Sequence, residues 1–454
     1  MIVSDSQPTA TGGRLRAHLI KGAAGSFVLQ VGFAVLAFLN AIILARVLGA
    51  QGYGAFANAM AWIGILTIPA TFGFDILLVR DVAIYHAQYE WALLNGLLRF
   101  SNSFVLLLSV LLALVAAGIT GTIFSSSIQA TLRLTLWFAM PLIPLFALSS
   151  LSQSTLRGLE FVFRAQLPDK IIRPGFLMVG IVVIQMYWPE HLNAPVAMAV
   201  NVGAGILALG ACILWLKRLL PFEVKRVKAE YEPGPWLKSA FPMLISNGMQ
   251  IILGQTDIVM LGMMCGAEDV GLYAVAQRVA ILLLYVTMAS NMILAPVMSR
   301  LYADKEKARL QRILTRAIRI SFFSILPFAL FFIFLGNIVL TVFGDSFVNA
   351  HSALAILSFG RLVDVFVGGG TGAIMLIAAG EERIVAHIFV YIVCINVILN
   401  FLLIPPYGIF GAALASVISL VVSKIMLVVN SAKKTGIYVT VLGAKNNATQ
   451  RLTA

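Results

Sequence analysis

Four ionisable side chains sit where an apolar chain tolerates charge least. Asp257 lies about 10 Å, by the helical rise, before the end of one apolar segment, and Arg278 lies at a similar depth in the next, across a turn at 265 to 269. Arg361 and Asp364 are three residues apart in a later apolar run, so they share a helix face about 14 to 18 Å into it. Charge at that depth is costly unless it faces an interior or an aqueous path, so all four are expected to point into one cavity. There Arg278 and Arg361 attract an anionic group, while Asp257 or Asp364 balances them and binds a coupling proton or cation. The alternative is structural: each arginine is held by a neighbouring aspartate, Arg278 by Asp257 across the turn, and locks two helices together.

Weaker candidates surround these. Asn40, Gln30, Gln250 and Gln255 can hydrogen-bond sugar hydroxyls or link helices. Arg46 sits close enough to a helix end either to join an anion site or to snorkel into head groups. Asp75, Arg80 and Asp81 fall at the inner end of a span, where they can close a gate by an ion network or cap a helix. Gly368 and Gly369, in the run GGGTG, read as a hinge or packing point; the run lacks the Lys-Ser/Thr ending of a phosphate loop. Arg157, Glu160 and Arg164 offer a landing place for a lipid phosphate. The five histidines are dispersed, the three cysteines have no ligand spacing, and no HExxH, CxxC or nucleophile elbow occurs. These observations argue against an enzyme, a metal centre or a bound cofactor, and leave a proton gradient, a sodium gradient or the membrane potential as a source of power.

The elements that position these groups follow from composition. A chain of 454 residues that is 60% hydrophobic and 11% charged, where soluble proteins have about 25% charged, belongs in a membrane. Apolar stretches of crossing length occur near 20–46, 53–79, 93–118, 130–155, 172–188 and 195–216. Six more follow near 238–264, 270–298, 317–341, 352–378, 384–404 and 408–430. The expected fold is therefore an all-α integral membrane protein of twelve transmembrane helices. A polar tail (1–19), a first six-helix bundle (20–216), a basic linker (217–237), a second bundle (238–430) and a polar, partly disordered tail (431–454) complete the division.

With the N-terminus in the cytoplasm, all but Arg46, Arg133, Arg278 and Arg361 of the 32 basic residues fall at the inner side, which sets both termini there. The net charge of +13 thus belongs to short inner loops and calls for no nucleic-acid partner. The bundles are copies. At an offset of 217 residues Gly49 falls on Gly266, Ala50 on Ala267, Gly54 on Gly271 and Phe56 on Tyr273, while Asn40 falls on Asp257 and Ala61 on Arg278. Copies entering the membrane in the same direction are related by an axis along its normal, around a central cavity.

The stretch LARVLGAQGYGAFANAMAWIGILTIPATFGFD (44–75) and the later PYGIFGAALASVIS (406–419) resemble the opening and closing elements of the polysaccharide biosynthesis and O-antigen flippase family, within the multidrug/oligosaccharidyl-lipid/polysaccharide exporter superfamily. The resemblance implies a V-shaped cavity that alternates between membrane faces. It implies a lipid-linked glycan as substrate, an undecaprenyl-diphosphate oligosaccharide carried to the outer leaflet of the bacterial inner membrane, with a glycan polymerase and chain-length proteins as partners and a monomer as the working unit. Drug and cation antiporters of the superfamily often rely on acidic residues in the first lobe, of which this sequence has almost none at mid-depth. Export of small amphipathic cations, and a non-transporting scaffold for glycan assembly, are the alternatives.

Overall fold

The structure is a computed structural model that describes residues 11–122 and 130–443; the expected N-terminal tail up to residue 10, most of the outer loop near 119–129 and the last part of the C-terminal tail lie outside the described residues. The first lobe comprises α1 (Thr11–Thr71), α2 (Phe74–Gln88), α3 (Trp91–Thr122), α4 (Ala130–Ala139), α5 (Leu142–Gly158), α6 (Val162–Leu167), α7 (Arg173–Tyr187) and α8 (Ala194–Leu219). A short α9 (Phe222–Arg226) lies in the linker. The second lobe comprises α10 (Pro233–Met264), α11 (Ala267–Ala280), α12 (Leu282–Ala303), α13 (Lys307–Thr341), α14 (His351–Phe366), α15 (Thr371–Ala378) and α16 (Glu382–Thr435). Helices dominate because a backbone in lipid has no water to bond and must satisfy itself locally.

Among the described residues, eight helical segments are long and apolar enough to cross a bilayer. Two of them, Leu29–Thr71 and Glu382–Thr435, have 43 and 54 residues, about twice what one crossing needs. Each breaks at a glycine with left-handed φ, Gly49 at 66° and Gly408 at 53°. At the second break the chain doubles back, since a Cβ on Gly411 would overlap the carbonyl of Leu403, eight residues earlier. The chain is thus an all-α, multi-pass membrane protein of two helical lobes. Boundaries differ from the sequence reading: α1 begins at Thr11, α8 ends at Leu219, α10 begins at Pro233 and α16 runs to Thr435, and residues 436–443 then lie against the second lobe with Ile437 and Val439 buried, because those apolar residues fill a gap between α12, α13 and α15.

The repeat is visible in the backbone. Gly49 (φ 66°, ψ 179°) and Gly266 (φ 115°, ψ −178°) hold matching conformations that residues with a side chain avoid. Beyond these turns the second half of α1 crosses α11 at a reciprocal contact. A Cβ on Gly54 would overlap the carbonyl oxygen of Ala267, and one on Gly271 would overlap that of Ala50. Swapping the copies exchanges the two contacts, as a two-fold axis through the crossing requires.

From this crossing the second half of α1 runs antiparallel along α10. Asn58 Nδ2 donates to the Ile258 carbonyl at 3.4 Å, Gly64 faces Gln255, Gly248 faces Ile68, and Gly73 abuts the backbone at Ala240. Small residues let the helices approach closely where lipid offers no hydrophobic drive for association. The seam ends at Trp236, which donates to the Tyr85 hydroxyl at 3.1 Å. The linker is tied down beside it: Asn95 donates to the Val227 carbonyl at 2.9 Å, and the Glu230 amide donates to the Ala92 carbonyl at 3.0 Å.

Gly54→Ala is expected to lower the thermal midpoint of the purified protein sharply, by a destabilisation of about 3 kcal/mol. Gly203→Ala, where an added Cβ meets nothing within 4 Å, should leave the midpoint unchanged or raise it slightly. Equal midpoints for the two variants in a melting experiment would show that the crossing is not tightly packed.

Candidate functional site

Asp257 is the centre of the most highly connected buried polar group. It lies on α10 about 10 Å from the turn, 1% exposed. Its Oδ2 accepts from the Tyr273 hydroxyl at 2.9 Å and from Ser416 Oγ; its Oδ1 accepts from Asn400 Nδ2 at 2.7 Å and Asn396 Nδ2 at 3.2 Å. Four neutral donors around one carboxylate satisfy a buried charge without a counter-ion. Asn400 Oδ1 lies in the same group, buried and without a hydrogen-bond partner, so the cluster presents spare oxygen to a proton carrier or a small cation.

The expected pairing of Asp257 with Arg278 is absent. Tyr273 holds the carboxylate, and Arg278, five residues further along α11, leaves that helix about 140° around its axis and is exposed. The second expected pair does form, with a partner that the sequence reading missed. Arg361 Nη1 lies 3.9 Å from Asp364 Oδ2, but Lys424 Nζ on α16 lies closer, 3.0 Å from Asp364 Oδ1. Gly360, beside Arg361, packs against Val417, beside Ser416, so this ionic group and the Asp257 group lie on adjoining parts of α14 and α16 inside one lobe.

The remaining candidates divide. Asn40 is buried in the first lobe and donates to the carbonyls of Leu36 and Pro174, both at 2.9 Å, which makes it a helix link. Arg46 reaches the other lobe, where its Nε donates to the Val342 carbonyl at 2.7 Å beside the edge-on pair Phe38 and Phe343. It thus links the two lobes near the Gly49 turn. Asp75 also spans the lobes, accepting from Asn247 Nδ2 at 3.0 Å. Those two residues border an inter-lobe cavity of about 230 Å³. Arg80 instead pairs with its neighbour Asp81 at 2.6 Å, so the expected three-residue network is not formed.

Gly368, Gly369 and Gly370 all have positive φ (109°, 56° and 92°) and separate α14 from α15. Asn291 Nδ2 donates to the Gly369 carbonyl at 2.8 Å, holding the break. The first lobe also contains a polar group that was not foreseen as a unit: Lys170 donates to Gln30 at 2.5 Å and Gln166 at 2.6 Å, and Gln153 donates to Asp169 at 2.6 Å. The sequence reading missed Asn396 and Asn400, although a pair of asparagines four apart in an apolar helix is a signal that could have pointed to the Asp257 group. Lys424 carried no such signal, because its charge falls among the basic residues near an inner helix end. No group of three or more histidine, cysteine or acidic side chains able to hold a metal occurs among the described residues.

The profile of the family described as "Polysaccharide biosynthesis protein" matches residues 19–302, and the chain belongs to that family. A second profile, MatE, matches residues 242–402. The chain is similar to the probable low-salt glycan biosynthesis flippase Agl15 of Haloferax volcanii, with 25% identity across 88% of this chain and 80% of that one. It is likewise similar to a putative O-antigen transporter of Shigella flexneri, 23% identical across 85% of this chain and 90% of that one. Among solved structures, an inward-facing multidrug resistance MATE family transporter of the MOP superfamily superposes with a TM-score of 0.74, at 15% identity over 93% of this chain and 96% of that one. The lipid II flippase MurJ in an inward closed conformation superposes at 0.70, with 16% identity over 89% and 86%. The chain is a membrane transporter of this superfamily and resembles transport proteins rather than enzymes.

Removing one partner of a buried ion pair strands the other charge, whereas removing both need not. Because Arg361 also faces Asp364, Asp364→Leu is expected to destabilise the protein by about 3–5 kcal/mol and Lys424→Met by less, and the double variant to be more stable than the sum of the two losses in a double-mutant cycle. Additive losses would mean that the two side chains do not interact.

Proposed function

We propose that this chain is a flippase that carries an undecaprenyl-diphosphate-linked oligosaccharide from the inner to the outer leaflet of the cell's inner membrane. In this reading twelve crossings form two six-helix bundles, both termini are cytoplasmic, and the bundles alternate the cavity between membrane faces while the lipid tail stays in the bilayer. The observation that carries the proposal is the second lobe's interior, which holds both a cationic group, Arg361 and Lys424 about Asp364, and a separate buried carboxylate, Asp257, ringed by neutral donors. Arg361 and the exposed Arg278 supply charge for a diphosphate; Asp257 takes a coupling proton or sodium ion, and neutralising it loosens the contacts that join α10, α11 and α16. The family match and the glycan-related names of the two relatives support the substrate class. A monomer working beside a glycan polymerase and chain-length proteins completes the proposal.

The inter-lobe contacts have roles in this cycle. Arg46 with Val342 latches one end and Asp75 with Asn247 the other, while Gly368 and Gly369 absorb bending within the second lobe. The structural likeness to a multidrug transporter supports the runner-up, export of small amphipathic cations. That reading requires no arginine in the cavity.

Proteoliposomes carrying a fluorescent lipid-diphosphate glycan separate these readings. Arg278→Ala/Arg361→Ala is expected to lower protein-dependent transfer about tenfold or more while the protein stays folded, since charge-assisted hydrogen bonds contribute at least that much. Undiminished transfer would remove the arginines from the mechanism, and drug uptake that persists in the double variant would favour the exporter. Asp257→Asn is expected to abolish stimulation by an imposed proton or sodium gradient. Stimulation equal to the parent's would place coupling elsewhere.

A further inference from the structure

Along the first half of α13 the arginines 309, 312, 316 and 319 step by three and four residues and so share one helix face. Opposite them runs the segment after α16, and the two enclose a groove of about 1180 Å³. The segment is fixed in place. Gln311 donates to the Tyr438 carbonyl at 2.7 Å and accepts from its amide at 2.8 Å, Arg319 Nε donates to the Val441 carbonyl at 2.9 Å, and the Val441 amide donates to the Phe366 carbonyl at 3.1 Å. Basic loop residues that merely set topology need no such wall.

The charge in the groove is largely uncompensated. Arg309 pairs with Glu306 at 3.0 Å, but no described carboxylate pairs with Arg312, Arg316 or Arg319. The facing segment, residues 436–443, carries no carboxylate side chain. One end of the groove is apolar and open. Ile320 and Phe323, in the turn after Arg319, are 60% and 64% exposed, and Leu442 on the facing segment is 69% exposed. A polar cationic floor thus grades into an apolar one within about 6 Å of helical rise, the sequence in which a lipid presents phosphate and then acyl chain.

We propose that this groove binds the phosphate of an anionic glycerophospholipid, with Arg312 and Arg316 on the phosphate and the acyl chains against Ile320 and Phe323. Guanidinium groups suit phosphate because they present paired donors and never lose their charge. The site is formed by α13 and the closing segment and shares no residue with the Asp257 and Arg361 groups.

The test is native mass spectrometry of the full chain released from nanodiscs of equal phosphatidylglycerol and phosphatidylcholine. The parent should retain phosphatidylglycerol in preference. In Arg312→Gln/Arg316→Gln retention should fall about tenfold or more, given the attraction of anionic lipid to each basic residue near the surface. Arg218→Gln/Lys228→Gln, which removes the same charge from the linker, should retain as much as the parent. Equal retention in the first variant and the parent, or equal loss in both variants, would overturn the proposal. Full displacement of the lipid by millimolar inorganic phosphate at constant ionic strength would also overturn it, because the groove would then be a site for free anions. All four residues are exposed, so both variants are expected to melt with the parent, which a thermal scan verifies.

Discussion

The whole arrangement depends on the distance of closest approach between two helix backbones. Where α1 crosses α11, the carbonyls of Ala50 and Ala267 occupy the space that side chains on Gly271 and Gly54 would fill. No pair of side-chain-bearing residues permits that separation, so the crossing sets how the lobes meet and where their axis runs. The antiparallel seam of α1 with α10 follows from it, as do the positions of the latches formed by Arg46 and by Asp75. Dispersion between closely packed backbones is the main attraction available in lipid, and glycine is the residue that makes it accessible.

The two lobes share this frame and differ in what they hold. At the 217-residue offset, the positions that correspond to Asn396 and Asn400 are Val179 and Val183, and those that correspond to Asp364 and Lys424 are Ala147 and Leu207. The interior ionic group and the aspartate network thus belong to the second lobe alone. The first lobe places a lysine, an aspartate and glutamines between α1, α5 and the turn before α7. A symmetric frame with unequal contents gives each lobe a different affinity for charge, and the proposed cycle, in which one lobe holds a coupling ion and an anionic lipid head, uses that inequality.

Much of the frame was legible in the residues. The matched turns at Gly49 and Gly266 and the small residues after them pointed to a duplicated unit, and the apolar runs pointed to helices in a membrane. The site was legible only in part. Depth along a helix follows from residue number, so Asp257 and Asp364 were found; azimuth and partner depend on how helices pack, so Arg278 was assigned to a carboxylate that Tyr273 holds. Lys424 was hidden for a related reason, since a single lysine near a helix end reads as a topology signal until the fold brings Asp364 within 3.0 Å.

The glycine break between α14 and α15 is covered by the segment that follows α16: the carbonyl of Val439 lies where a side chain on Gly368 would be, and the Val441 amide donates to the Phe366 carbonyl. A ribosome makes the break well before its cover. At about 5–20 residues per second, several seconds separate the two. Through that interval α16 is still being made and the break has no cover, so closure of the second lobe waits on synthesis of the segment that follows α16.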